Sequence, residues 1–142
     1  MVDQLDLKIL ELLQADGSLS FTEIARKLRL NESTIRKRVM SLQKEGVIQK
    51  FTAVVDPSKI GLNTVAIVGV DVDPSRLLDA AQKMCEIREA RYVAISTGDH
   101  MIMIEIWTRD GKELSRIISE KIGTIEGVRK ICPSIILEKL KV

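Results

Sequence analysis

The sequence has few of the residues that most often carry catalysis or bind metals. Its 142 residues include one histidine, His100, and two cysteines, Cys85 and Cys132. The cysteines lie far apart with no cysteine or histidine at metal-ligand spacing, so the pattern predicts neither a zinc site nor a disulfide framework, only two reduced thiols. His100 has no cysteine, carboxylate or serine at catalytic spacing. An enzyme is therefore a weak alternative.

Phosphate-binding loops and long apolar runs are also missing. The eight glycines are scattered at the ends of predicted elements, so there is no glycine-rich loop that could cradle a phosphate. The longest uncharged apolar stretch, near residues 60 to 70, is too short to cross a bilayer, and the chain starts with acidic residues instead of a basic signal-peptide region. We expect a soluble cytoplasmic protein without a membrane partner.

Charge is nearly balanced overall but is uneven along the chain. The 22 lysines and arginines exceed the 20 acidic residues by two. Residues 1 to 19 carry one basic and four acidic side chains, for −3, and residues 20 to 50 carry eight basic and three acidic ones, for +5. Residues 51 to 142 carry 13 of each sign. A short basic block is typical of a local surface that binds a polyanion.

Helical periodicity dominates the first third of the chain. Apolar residues recur every three to four positions over residues 3 to 14, over about 21 to 28, and again after residue 31. Three short helices with a tight turn between the last two are typical of a helix-turn-helix. Residues that commonly cap helices precede the three segments, namely Asp3, Ser20 and Asn31.

The third helix carries the strongest candidate for a functional surface. Ile35, Val39 and Leu42 define a buried face, so the opposite face turns polar and basic side chains outward. Arginine can form a paired contact with guanine, whereas lysine and serine more often contact phosphate. The candidate DNA-binding residues are Ser33, Thr34, Arg36, Lys37, Ser41 and Lys44. A solvated charged face is the alternative, and Arg38 points nearer the core, where we expect a structural ion pair.

After Gly46 the pattern changes to alternation and to β-branched residues. Residues 51 to 55 predict a strand that links two domains. The elements that follow are predicted over residues 64 to 72, 74 to 85, 92 to 97, 101 to 108, 112 to 122 and 128 to 139. Their order, β-α-β-β-α-β, is that of a ferredoxin-like fold, so the fold class is α+β. Pro133 places the last strand at a sheet edge or a bulge.

One face of this predicted sheet has no helices left to cover it. The isoleucines at alternate positions 102 to 106 suit packing under helices, but Met101, Met103 and Trp107 point the other way and are also apolar. Residues of other strands that can join them are Val65, Ile67, Cys132 and Ile136. Sheet-to-sheet dimerisation would bury this face, and ordinary surface apolarity is the alternative.

The polar turn Thr97-Gly98-Asp99-His100 lies between two apolar strands and is the second candidate site. Asp99 can accept a hydrogen bond from a ligand amine. Glycine and aspartate are also what a tight turn requires, so these residues by themselves favour a turn over a ligand site.

Several segments together resemble a known family. They are LDLKIL at 5 to 10, STIRKRV at 33 to 39, LQKEGVI at 42 to 48, STGDHMIM at 96 to 103, IEGV at 125 to 128 and ILEK at 136 to 139. These motifs are similar to those of the Lrp/AsnC (leucine-responsive, feast/famine) transcription regulators, notably the short archaeal members of the LrpA and LysM type. The resemblance covers essentially the whole chain.

The resemblance implies a two-domain DNA-binding regulator without a cofactor. A winged-helix-like helix-turn-helix domain over residues 1–49 would be followed by a linker strand and hinge over 50–60. A ferredoxin-like domain over 61–142 would then serve oligomerisation and effector binding. The family's dimers form through the C-terminal sheets, assemble further into tetramers or octamers, and present two recognition helices to double-stranded promoter DNA.

The resemblance also implies an amino-acid effector between dimers. The positions that match the family's effector site are Thr97, Gly98, Asp99, His100 and Ser134. Many members follow Gly-Asp with an aromatic and a second acidic residue, where this chain has His100 and Met101. One partner for an ammonium group is therefore missing, and a different effector or none stays open. A stand-alone amino-acid sensor or assembly module, whose helical half binds protein, is the alternative function.

Overall fold

The computed structural model describes all 142 residues and divides into two compact units, residues 1–53 and 54–142. The first unit is helical, and the second is a four-stranded sheet with helices packed on one face. The α+β class and the order β-α-β-β-α-β are confirmed. The elements are α1 Gln4–Ala15, α2 Phe21–Leu28, α3 Glu32–Lys44, β1 Thr64–Val72, α4 Leu77–Cys85, β2 Ala90–Ile95, β3 Ile102–Thr108, α5 Gly111–Ile117 and β4 Val128–Ile136.

The three helices of the first unit start where the sequence predicted. Asp3 accepts a hydrogen bond from the backbone N–H of Asp6, whose side chain accepts in return from the N–H of Asp3, and Ser20 caps α2 by accepting from the N–H of Glu23. Asn31 occupies the N-cap position of α3, as predicted, but its side chain makes no cap hydrogen bond. The unit closes around a buried cluster of Ile9, Ile24, Ala25, Ile35 and Val39.

The turn between α2 and α3 is short and has an unusual backbone conformation. Arg29 has φ 57°, in the left-handed region, and is the single non-glycine residue of the chain with positive φ. The N–H of Leu30 donates to the carbonyl of Ala25 over 2.9 Å, which closes the end of α2. Glu32 then starts α3 three residues after Arg29, as a helix-turn-helix requires.

The sheet of the second unit is antiparallel with strand order β2-β3-β1-β4. β4 is therefore an edge strand, which confirms the position predicted from Pro133. Ile102, Ile104 and Ile106 are fully buried against α4 and α5, as predicted. Helices α4 and α5 are shorter than predicted because Pro74–Arg76 forms a 3₁₀ turn and Ile118–Ile122 a π turn.

Three predicted strand limits are corrected. Residues 51 to 55, predicted as a linker strand, form no strand, because nothing in the chain pairs with them. β2 spans Ala90–Ile95 instead of 92 to 97, since its pairing with β3 begins at Ala90 opposite Ile106. β4 ends at Ile136 and not at 139, because its pairing with β1 stops where Val65 lies opposite Ile136, one residue from the start of β1.

The sheet face opposite the helices, here called the open face, carries the side chains predicted for it with one exception. Met101 packs against the buried cluster under the helices, so its placement on the open face is wrong, and the preceding residue, His100, lies over Gly69 instead. Cross-strand pairs place Val65 beside Trp107 and Ile136, and they place Gly69 beside Met103 and Cys132. Paired residues of antiparallel strands point to the same side, so these side chains share one surface. No helix of the second unit covers it, and most of its apolar side chains are half-buried.

Candidate nucleic-acid interface and effector site

Helix α3 separates a buried face from a polar one. Ile35, Val39 and Leu42 are at most 2% exposed, whereas Ser33 and Lys37 lie in solvent on the other side. All six candidate DNA-binding residues therefore lie on one helix, and five of them are exposed, with Thr34 half-buried. Ser41 also lies on this helix, with its hydroxyl 3.5 Å from a carboxylate oxygen of Glu45.

The lysines of α3 carry free positive charge. Lys37 and Lys44 are exposed and take part in no ion pair, and the same holds for Arg26 and Lys27 of α2. Ammonium groups on flexible stems in this state can approach phosphates without first breaking a bond within the protein. These unpaired positive charges are therefore available to bind a polyanion.

Arg36, by contrast, is held by neighbours on two helices. Its guanidinium is paired with the carboxylate of Glu32, one turn earlier on α3, and lies 5.8 Å from the centre of the Phe21 ring. The hydroxyl of Thr22 donates to the other oxygen of Glu32 over 3.0 Å. Arg36 is therefore positioned before any partner arrives, although half of its side chain is still exposed.

Arg38 has a structural role, as the sequence predicted. Its guanidinium is paired with Asp3 and lies 3.4 Å from Asp6, so it ties α3 to the first turn of α1. Hydrogen bonds from Arg38 and from the N–H of Asp6 lower the pKa of the Asp3 carboxyl, and the Asp3 carboxylate raises the pKa of Arg38. Arg38 is therefore paired within the protein and is not among the side chains of α3 that are free to contact DNA.

The predicted effector turn is closed by its own hydrogen bonds. The Ser96 hydroxyl donates to the carbonyl of His100 over 2.7 Å, and the Ser96 N–H donates to the carbonyl of Met101 over 2.9 Å. Gly98 has φ 109°, which glycine adopts without strain. Thr97 and Asp99 are exposed, and the Asp99 carboxylate has no partner within the chain.

His100 turns back onto the open face of the sheet. A Cβ on Gly69 would lie 2.3 Å from the imidazole ring, so the ring rests where only glycine leaves room. Its Nδ1 atom is buried, lies 3.5 Å from a carboxylate oxygen of Asp71, and has no hydrogen-bond partner. The N–H of Met101 lies 3.4 Å from the same carboxylate. One end of the open face is thus polar.

Ser134 is separate from the turn within one chain. It is exposed on β4, where it pairs with Ile67 of β1, and β1 stands between β4 and the hairpin that carries the turn. No hydrogen bond joins Ser134 to residues 97 to 100. A shallow cleft of about 250 Å³ lies elsewhere, against α4 and residues 125 and 126, and includes none of the five predicted effector residues.

Several residues of these surfaces were missed by the sequence reasoning. Glu32 lies four residues before Arg36, a spacing at which helical side chains pair, so this contact could have been found. Two partners of Trp107, Arg91 on β2 and Lys139 beyond β4, depend on how those segments lie beside β3 and could not have been found, whereas Glu105 follows from alternation along the same strand. The ring of Trp107 lies 4.5 Å from the guanidinium of Arg91 and 5.6 Å from the ammonium of Lys139, and its indole N–H donates to Glu105 over 2.8 Å. The open face therefore has a charged rim around an apolar centre.

Comparison with known proteins gives matches over both units. A family model described as winged helix-turn-helix DNA-binding matches residues 2–49, and one described as the Lrp/AsnC ligand binding domain matches residues 65–142. The chain is 50% identical over 141 residues to the HTH-type transcriptional regulator LrpA of Pyrococcus horikoshii, covering 99% of this chain and all of that protein. No helix is long and apolar enough to span a membrane.

Two solved structures illustrate the likeness of fold. The leucine response regulatory protein of Mycobacterium tuberculosis has a TM-score of 0.88 and 26% identity, with 99% of this chain and 95% of that chain covered. A transcriptional regulator of Neisseria meningitidis, solved as a complex with L-methionine, has a TM-score of 0.85 and 22% identity, covering 100% and 94%. At 22% identity the second similarity shows the fold alone.

Proposed function

The chain belongs to the Lrp/AsnC family of helix-turn-helix regulators, and from that premise we propose that α3 is the helix that enters the major groove of its promoter DNA. The protein is a DNA-binding transcriptional regulator and not an enzyme, as the sequence predicted. The observation that supports the proposal best is the outward face of α3, where Lys37 and Lys44 are exposed and free of ion pairs.

Within this proposal the residues of α3 have different tasks. Ser33 and Thr34, near the start of the helix, approach phosphate or base edges. Arg36 contacts a guanine through its paired donors, because its guanidinium is already positioned by Glu32. The remaining contacts to the DNA backbone come from Lys37, Ser41 and Lys44.

The proposed assembly is a homodimer formed through the open faces of two sheets, which associates further into a tetramer or octamer. The half-buried apolar side chains of that face support it, because the fold has no helix left to cover them. Two copies of α3 would then contact half-sites about one helical turn of DNA apart, or a multiple of it. We propose that this activity is located in the cytoplasm. In the proposed organisation, residues 1–49 form the DNA-binding domain, residues 50–60 form the linker and hinge, and residues 61–142 form the domain for oligomerisation and effector binding.

We further propose that an amino acid modulates this regulator at the turn Thr97-Gly98-Asp99-His100 together with Ser134. The match to the Lrp/AsnC ligand binding domain supports an effector, and the methionine complex of the Neisseria protein gives an example in the same fold. The free carboxylate of Asp99 suits an ammonium group. Because Ser134 lies apart from the turn in one chain, the complete site requires a second copy.

The DNA interface is tested by alanine substitution on α3. Lys37→Ala should weaken binding to every DNA sequence and reduce the slope of log Kd against log salt by about 1, since one phosphate contact is lost. Arg36→Ala should also relax sequence preference, by roughly 1–3 kcal/mol at one base position. The measurement is a footprint on the DNA upstream of the protein's own gene, followed by titration at several salt concentrations.

Lys112→Ala provides the matched control, because Lys112 is an exposed lysine of α5 without an ion pair. It removes the same charge from the second unit and should leave the footprint and the salt slope as they are. A footprint unchanged by both α3 substitutions would show that another surface binds DNA.

A further inference from the structure

Glu32 is an acidic residue on a helix proposed to bind a polyanion. It is the first residue of α3, and its carboxylate contacts the guanidinium of Arg36 on the same helix. The hydroxyl of Thr22, in the first turn of α2, donates to it over 3.0 Å. Glu32 thus joins the two helices of the motif at the end of α3 where Arg36 lies.

The contacts of Glu32 restrict what Arg36 can do. A guanidinium has five N–H donors in one plane, and the pair with Glu32 uses one of its nitrogen atoms, Nη2. The Phe21 ring, 5.8 Å from the guanidinium carbon, limits its movement on another side. The remaining N–H donors of Arg36 are therefore held in one direction. They suit a partner whose acceptor atoms are fixed in a matching arrangement.

A phosphate and a base edge would interact differently with the guanidinium of Arg36 while Glu32 is paired with it. DNA of unrelated sequence is bound through phosphates, and a phosphate near Arg36 must either displace the Glu32 carboxylate or lie beside a second negative charge. A guanine edge has no net charge, and it can accept from the free donors while the pair with Glu32 stays intact. The carboxylate therefore weakens binding to unrelated DNA more than binding to a site with guanine in register.

We infer that Glu32 is a specificity-determining positioning residue that directs Arg36 towards base edges and lowers the affinity for unrelated DNA. The inference rests on the proposed function, in which α3 lies in the major groove. Glu32 and Arg36 are about half exposed, and surface pairs of this kind stabilise a helix weakly, so we expect the effect of Glu32 to appear in DNA binding more than in the free energy of unfolding.

The test compares Glu32→Ala with Glu45→Ala. Both substitutions remove one carboxylate from the α3 region, but Glu45 contacts only Ser41 at the other end of the helix and does not contact Arg36. Affinities are measured for the footprinted duplex and for an unrelated duplex of equal length at one salt concentration. Glu32→Ala should tighten binding to unrelated DNA and reduce the ratio of the two affinities by about 5- to 10-fold. Glu45→Ala should leave the ratio within about twofold of the wild-type value.

Two further variants separate a positioning role from other effects. Thr22→Val keeps the shape of the side chain and removes the hydroxyl donor, so it should reduce the ratio in the same direction but less. In the Arg36→Ala background, Glu32→Ala should leave the ratio unchanged. A ratio that stays constant in Glu32→Ala, or that falls equally in Glu45→Ala or in the Arg36→Ala background, would overturn the inference. Failure of the proposed function is distinguishable, because Lys37→Ala would then leave all DNA binding intact.

Discussion

Arg36 and Arg38 stand two positions apart on α3 and serve different purposes. Two positions along a helix correspond to a rotation of about 200°, so one guanidinium faces out while the other reaches the start of α1. Helical geometry alone assigned Arg38 to an ion pair, and the structure confirms it. The same geometry could not show that Arg36 is held by Phe21, because that contact depends on how α2 packs beside α3.

The proposal that the turn at residues 97 to 100 binds an amino acid can be tested by replacing one carboxylate, that of Asp99. A thermal-shift screen over the twenty amino acids should find one that raises the Tm of the wild-type protein, and Asp99→Ala should abolish that rise because the ammonium group loses its partner. Asp79→Ala is the control, since Asp79 is an exposed carboxylate beside the cleft at α4. A response lost in the Asp79 variant would place the ligand in that cleft, and twenty null results would indicate regulation without an amino acid.

Elements of this chain were predictable where local contacts form them. The starts of α1 and α2 follow from side chains that cap their own helix, and Asp-x-Ser at Asp16, Asp56 and Asp73 forms the same local turn each time. Strands depend on a partner that the sequence does not identify. The alternating residues 51 to 55 have strand propensity without a neighbouring strand, and residues 137 to 139 extend past the end of β1.

The pair between Asp3 and Arg38 gives α1 a predictable dependence on pH. Hydrogen bonds from Arg38 and from the N–H of Asp6 hold the folded pKa of Asp3 below its ordinary value, so its contribution to stability is complete above the unfolded pKa and is lost as the pH falls through the folded pKa. Asn is also a good N-cap, so Asp3→Asn removes the charge and keeps the cap. The variant should have a lower Tm than the wild type at pH 6, by a few degrees at most, and the gap should close in acid.

The measurement is thermal unfolding followed by circular dichroism between pH 6 and the acid limit of folding. Glu11→Gln is the control, because Glu11 is an exposed carboxylate of the same helix without a hydrogen bond or ion pair. A gap in Tm that stays constant across this range would mean that the Asp3 charge does not act through Arg38.

In the molecule as a whole, the surplus of positive charge lies in the first unit, and the apolar sheet surface lies in the second. Residues 20 to 50 hold a surplus of five positive charges, and the structure leaves several of these side chains unpaired around α3. The second unit is neutral and places its apolar side chains on both faces of one sheet. Two of the four aromatic residues, Trp107 and Tyr92, lie on β3 and β2 of that sheet, and the other two, Phe21 and Phe51, belong to the first unit.

The open face predicts that assembly depends on its apolar centre. Met103 is half-buried there, beside Gly69 and Ala94, whereas Leu78 of α4 is 74% exposed on the other side of the sheet. Lysine can replace methionine in a single chain because its stem packs and its ammonium reaches water, but two facing sheets would bury that charge. Met103→Lys should therefore convert the dimer or larger assembly to monomers. The mass is measured by gel filtration with light scattering, and a thermal unfolding transition shows that the variant is folded. Leu78→Lys adds the same charge outside the interface and should leave the mass unchanged. A wild-type protein that is monomeric at micromolar concentration, or a Met103→Lys variant of unaltered mass, would show that the open face does not hold the assembly together.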